Sequence, residues 1–240
     1  MLYASPLDSA YHPSGSTTVD PIGYGKVAVV TGCTSSIGLA VTQLLLAHQF
    51  SICGLDNVEF DYRLLREADH GRFHFHKEDL SARDGEGIQE GVRICRSVFG
   101  ERIDALINIP FLLLSATSPN SDALVLSTKL TAPILMMQAV LPLMKPHRSG
   151  AIVNVACPAA VDDVAHTAAR EGLLGATKSV AWGCRGEGVR VNAVLPGVVT
   201  GVDEKIAAME VARAVLFLAS EEARGVNGVG LPVGRIREAV

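Results

Sequence analysis

Two groups of residues have the types and spacing to do chemistry. The first is the turn Thr31-Gly32-Cys33-Thr34-Ser35-Ser36-Ile37-Gly38, set between an apolar, β-branched run (Lys26–Thr31) and a stretch with helical periodicity (Ile37–His48). Glycines in such a turn let the backbone close around a phosphate, and the start of the helix adds N–H donors and a partial positive charge. Eighteen residues past Gly38, Asp56 ends the next apolar run, and Asn57 rather than an arginine follows it. A carboxylate in that place hydrogen-bonds the ribose hydroxyls of an adenine dinucleotide and repels a 2′-phosphate, so NAD is favoured over NADP. A plain strand–helix turn with a loop-capping Asp is the alternative. The second group is His166 and Arg170, four apart on a helical segment and so on one face. Imidazole moves protons near neutral pH. A guanidinium keeps its charge and can steady an oxyanion or enolate. A solvated surface pair is the alternative reading of that spacing.

The elements that must position these residues alternate regularly. Strands are expected at Lys26–Thr31, Ser51–Leu55, Phe73–His76, Ile103–Asn108, Ala151–Val155, Val189–Val194 and Val229–Val233. Helices are expected at Ile37–His48, Gly87–Phe99, Leu124–Met144, Val164–Gly183 and Lys205–Ser220. Alternation of this kind predicts an α/β fold, a doubly wound parallel sheet with helices on both faces. The helices Leu124–Met144 and Val164–Gly183 carry small and apolar residues on more than one face. They are therefore expected to join copies of the chain into a homodimer or homotetramer.

The bulk properties narrow the partners. A chain of 240 residues with 48% hydrophobic content fits one large domain. A net charge of −4 without blocks of like charge argues against nucleic acid or an anionic membrane surface as partner. Five scattered cysteines lack metal-ligand spacing, so no metal site is expected and the thiols read as reduced, in a cytoplasmic protein. No apolar run reads as a bilayer span. Residues 1–25 are rich in Ser, Pro, Gly and Thr and read as an extension before a single domain at 26–240.

From Gly25 to Gly234 the sequence resembles the short-chain dehydrogenase/reductase family, whose fold is Rossmann-like. Its phosphate loop follows T-G-x-x-x-G-x-G, with Ser36 in place of the middle glycine. Arg190–Thr200 follows R-V-N-x-x-x-P-G-x-x-x-T closely. The resemblance implies that Gly32, Ser35, Ser36, Ile37 and Gly38 hold a pyrophosphate and that Asp56 meets ribose. Asp79 and Leu80 would lie against adenine, Asn108 would begin the loop beside the cofactor, and Pro196, Gly197 and Thr200 would border the nicotinamide. Phe111 stands where relatives place a glycine beside the cofactor, either crowding that space or packed in the core.

The family's catalytic positions all differ here. By their neighbours, Lys129 falls at the family's Asn, Cys157 at its Ser, His166 at its Tyr and Arg170 at its Lys. No tyrosine follows Tyr62. Cys157 is a weaker hydrogen-bond donor than serine, and Lys129 adds a cation. Two connections are short: eight residues between Cys157 and His166, and eight between Thr200 and Met209, where relatives carry a substrate lid. The leading expectation is a repurposed member performing non-redox chemistry (cyclisation, isomerisation or elimination) on an apolar small molecule in secondary metabolism. The alternatives are an NAD(H)-dependent oxidoreductase with a substituted proton relay, and a catalytically inactive partner protein.

Overall fold

Seven short runs of mostly apolar residues, several of them β-branched, form one sheet: β1 (Val27–Thr31), β2 (Ser51–Asp56), β3 (Phe73–Lys77), β4 (Ala105–Asn108), β5 (Gly150–Val155), β6 (Val189–Pro196) and β7 (Gly230–Val233). The computed structural model describes residues 22–81, 85–110, 121–156, 163–197 and 204–234. The strand order is β3-β2-β1-β4-β5-β6-β7, and every neighbouring pair is parallel. This is the doubly wound sheet the alternation predicts. Six helices cross over it: α1 (Ser36–Ala47), α2 (Glu86–Phe99), α3 (Ser121–Leu126), α4 (Ala132–Met144), α5 (Val164–Gly183) and α6 (Glu204–Ala219).

The period of two along each strand sorts the core into two layers. Ala28, Val30, Ile107 and Val153 face α1 and α6, where Leu44, Leu45 and Val215 meet them. Val27, Val29, Leu106 and Ile152 face the other way, onto Val92 of α2, Met136 and Val140 of α4 and Ala181 of α5.

Three features depart from expectation. The helix read as continuous over Leu124–Met144 contains a π-helical turn at Ser127–Thr131, with the Ala132 N–H donating to the Ser127 carbonyl. Pro133 supplies the reason: it has no N–H for the Lys129 carbonyl, and a wider turn relieves its ring. The second departure concerns length. Asp122–His147 is long and apolar enough to cross a membrane by size and composition, contrary to the expectation that no run is. Part of its apolar content is accounted for by packing: Met136, Met137, Val140 and Met144 are buried in the sheet's core layer. The third is a pair of 3₁₀ segments, Tyr62–Leu64 and Glu67–Arg72, in a stretch without readable periodicity. Arg66 and Arg72 both bind the buried Asp69 there, at 2.7 and 2.5 Å.

Polar groups inside the sheet are connected. Asn108 Nδ2 donates to Asn154 Oδ1 (2.9 Å), Asn154 Nδ2 donates to Thr177 Oγ1 (2.9 Å), and Thr177 Oγ1 donates to the Leu173 carbonyl (2.8 Å). Replacing Thr177 by the isosteric Val leaves Asn154 Nδ2 with only the Met137 sulfur at 3.4 Å. Thr177→Val is expected to cost about 1–3 kcal/mol. A thermal melt should show a drop of roughly 2–4 °C per kcal/mol, and an unchanged melting temperature would deny the network a stabilising role.

Candidate active site and nucleotide groove

The turn between β1 and α1 is shaped by close backbone approach. Gly32 has φ +65°, and a Cβ there would overlap the Ile109 carbonyl oxygen; a Cβ on Gly38 would overlap the Gly32 carbonyl oxygen. Both glycines are therefore required by the protein's own packing, before any ligand is considered. Ser35 caps the helix, its Oγ accepting from the Gly38 N–H (3.0 Å) and donating to the Gly32 carbonyl (2.8 Å). Ser36 is exposed at the first helical position. Its side chain does not crowd the turn, which accounts for the tolerance of serine at the family's middle glycine. Among the described residues nothing accepts from the Ser36 or Ile37 N–H. Two such donors at a helix start suit an anion.

Asp56 stands at the groove's edge but is already engaged. Its Oδ2 accepts from Thr34 N (3.0 Å) and Thr34 Oγ1 (2.7 Å), and its Oδ1 from Asn57 N (2.8 Å). A ribose hydroxyl here would share the carboxylate with Thr34 or displace it. Asp79 is exposed and folds on Ser81, accepting from its N–H (2.9 Å) and hydroxyl (2.6 Å). Leu80 is half-buried and lines the groove with Gly32, Asp56, Asp79 and Asn108. Asn108 Oδ1 is buried and has no partner among the described residues. Pro196 ends β6, and Gly197 N–H donates to the Val233 carbonyl (2.8 Å). Thr200 and Phe111 lie outside the described residues. The open N–H pair, the Asp56 carboxylate and the apolar Leu80 fit the phosphate, ribose and adenine of a dinucleotide.

The catalytic candidates gather at the start of α5. Asp163 is its N-cap: Oδ1 accepts from the His166 backbone N–H at 2.9 Å, and Oδ2 lies 2.8 Å from His166 Nδ1, an ion-pair distance without hydrogen-bond geometry. The His166 backbone N–H, and then its ring, hold the Asp163 carboxyl below its ordinary pKa. The His166 and Arg170 side chains are only 23% and 24% exposed, so the solvated-pair reading does not describe them. Arg170 Nη1 reaches Glu171 Oε1 at 3.5 Å, while its Nε is buried without an acceptor among the described residues.

Lys129 sits in the π-helical turn and is 8% exposed. That turn and α3 pack on α5 through Val125, Leu126 and Leu130 against Ala165 and Ala169. A Cβ on Gly172 would stand 3.0 Å from Leu130, so the absence of one permits the contact. The elements carrying Lys129, His166 and Arg170 are thus brought together; Cys157 lies outside the described residues. Asp163 was missed by sequence reasoning. The signal for it was the Asp three residues ahead of His166 at a helix start, which is capping spacing.

Comparison with known proteins agrees with this architecture. Residues 26–210 match the short chain dehydrogenase family. Asnovolin H dehydrogenase from Aspergillus novofumigatus is 34% identical over 248 aligned positions, covering 86% of this chain and 95% of that protein. A short chain dehydrogenase from Aspergillus terreus is 36% identical over 207 positions, covering 69% and 88%. In structure, a short-chain dehydrogenase/reductase from Burkholderia xenovorans superposes with TM-score 0.76 at 28% identity, over 88% of this chain and 96% of that one. Levodione reductase gives 0.75 at 23% identity over the same shares, a likeness of fold. Since 86% of 240 residues is about 206, roughly 40 of the 248 positions aligned with the first relative face gaps in this chain. Gaps of that extent fit the two shortened connections, before His166 and after Thr200.

The two kinds of glycine make a paired test. Gly38→Ala forces a Cβ into backbone and is expected to destabilise by about 1–3 kcal/mol. Gly175→Ala, in α5 with nothing within 4 Å of the added carbon, is expected to stabilise by about 0.5–1 kcal/mol. Chemical denaturation of both variants measures this; equal effects would contradict the backbone contact at Gly38.

Proposed function

The chain belongs to the short-chain dehydrogenase/reductase family, and on that premise we propose that it oxidises or reduces an apolar small molecule with NAD(H), moving the proton through His166 held by Asp163. The observation that carries this reading is the Asp163–His166 contact at the start of α5, where the family's tyrosine would stand. With the Asp163 carboxylate beside Nδ1, Nε2 would be the nitrogen that exchanges a proton with a substrate oxygen. Arg170, with its buried Nε–H, steadies negative charge on that oxygen, and Lys129 adds to the positive field. NAD, when bound, takes up the hydrogen and electron pair released as an alcohol becomes a ketone. Ser36 and Ile37 would hold its pyrophosphate, and Asp56 its ribose. The groove supports NAD over NADP: Asp56, Glu78 and Asp79 line it, and no Lys or Arg among the described residues does.

This reverses the order in which the sequence ranked the alternatives. Two observations weigh toward redox chemistry: a groove whose residues fit a dinucleotide, and relatives named as dehydrogenases. The names of those fungal relatives also support a setting in secondary metabolism. The short connection after Thr200 suits a bulky substrate, or a site completed by a second copy. Val164 and Trp182, 85% and 69% exposed on α5, support self-association through that helix.

Non-redox isomerisation or elimination is the second reading. It is favoured by the replacement of all four family catalytic groups. Calorimetry with NAD+ and NADH, followed by turnover of an apolar polycyclic secondary alcohol, separates the two. Expected are cofactor heat in the wild type and in His166→Gln, with turnover in that variant reduced about 10²–10⁴-fold. Asp163→Asn should lose less and shift the pH profile. Absence of cofactor heat would overturn the redox reading in favour of the second.

A further inference from the structure

At the opposite edge of the sheet, where the strands begin, a second cavity of about 290 Å³ opens. Its position follows from its walls: Lys26 precedes β1, Asp104 precedes β4, and Gly150 and Val189 start β5 and β6. Five cationic side chains line it, Lys26, Arg148, Arg185, Arg190 and Arg224, against two carboxylates, Asp104 and Glu221. The excess is three positive charges in a chain whose net charge is −4.

Both carboxylates have their shortest ion pairs with cations other than the four cavity-lining arginines. Asp104 is paired with Arg102, which is outside the cavity lining, at 2.6 Å, and it accepts from Val27 N at 2.9 Å. Glu221 is paired with Lys26, at 3.7 Å. Among the described residues no carboxylate lies within ion-pair distance of Arg148, Arg185, Arg190 or Arg224. Three of the four guanidiniums are held by main-chain carbonyls. Arg148 Nη2 donates to Gly186 O (2.8 Å), Arg185 Nη1 to Trp182 O (3.1 Å), and Arg190 to Leu218 O and Ser220 O (2.7 and 2.9 Å).

Part of this is helix capping: α5 ends at Gly183 and α6 at Ala219, and cations are favourable at those ends. Capping uses one or two of the five N–H donors of each guanidinium. It fixes the forks in place rather than consuming them. Burial pulls Arg190 below its ordinary pKa, and the Glu221 carboxylate opposes that pull. Arg185 is further fixed by stacking 4.0 Å over the Trp182 ring. Arg148 holds a left-handed backbone (φ 49°), unusual for a residue with a side chain. Arg148, Arg185 and Arg224 are exposed and Arg190 is half-buried, and guanidiniums grouped around a cavity match the planar, multidentate acceptors of a phosphate group.

We propose that this cavity binds a small phosphate-bearing anion, independently of the nucleotide groove at the other edge of the sheet. Its volume exceeds what a lone phosphate needs, which favours a phosphorylated small molecule over the free ion.

The test uses the full chain, with inorganic phosphate, pyrophosphate and glycerol phosphate as probes, against sodium chloride at matched ionic strength. Expected is a saturable rise in melting temperature and a binding heat with the phosphates beyond that in chloride, strongest for the larger probes. Arg224→Gln and Arg185→Gln should each raise the dissociation constant by about tenfold, the loss of one charge-assisted contact. Melts in chloride verify that both variants fold, and NAD binding heat in them should be unchanged. A phosphate effect equal to that of chloride, one that survives both substitutions, or one abolished by saturating NAD would each overturn the proposal. The last outcome would place the phosphate at Ser36 and Ile37. Failure of the redox reading would leave the phosphate result untouched.

Discussion

The hydrogen bonds from Asn108 to Asn154 and on to Thr177 tie two central strands to helix α5 inside a core that excludes water. In that setting each amide hydrogen bond restricts the packing, although Asn108 Oδ1 is left without a partner among the described residues. The network fixes the height and rotation of α5 over the sheet. Thr177 is eleven residues beyond His166, close to three full turns at 3.6 residues each, so the two lie on nearly the same face of the helix. The buried stripe Ala165, Ala169, Leu173, Thr177 and Ala181 follows that line. His166 and Arg170 stand beside it, at the edge between core and solvent. Their partial burial is a consequence of where Thr177 is anchored.

The same network reaches the other wall of the site. Asn108 Nδ2 also approaches the Pro133 carbonyl at 3.4 Å, and Pro133 is the residue that forces the π-helical turn. That turn alters the helical register at Lys129, which sits buried against the helix carrying the imidazole. One asparagine therefore connects the sheet, the turn bearing Lys129 and the helix bearing His166.

Most of the scaffold was legible in the sequence, and the reasons are physical. Strands buried on both faces read as apolar runs, and α5 was placed at its true ends because its small and apolar residues recur with a clear period. The phosphate turn was legible because Gly32 and Gly38 answer to backbone contacts that leave no choice of residue. What escaped had no local signature. The π-helical turn arises from a proline acting on a carbonyl four residues back, within a stretch that otherwise reads as an ordinary helix. The segments at Tyr62–Leu64 and Glu67–Arg72 are too short to show a period, and they are held by Asp69 between two arginines, a tertiary arrangement. Asp163 was readable as a cap; its reach to the His166 ring required coordinates. The engagement of Asp56 by Thr34 is likewise a matter of side-chain geometry that spacing cannot give.

The two edges of the sheet differ in charge, and the difference bears on how each could select a ligand. The groove at the strand ends is lined by Asp56, Glu78 and Asp79. An anion there gains only from the Ser36 and Ile37 N–H groups and the α1 dipole, a short-range attraction that fades within a turn. Three carboxylates there oppose any further negative charge. The opposite edge reverses the sign, with fixed guanidiniums and few acids. Its positive field extends into solvent over about a Debye length, so free phosphates meet attraction there and repulsion at the groove. Separation of the two along the strands lets an acidic groove and a basic cavity coexist in one small domain without neutralising each other.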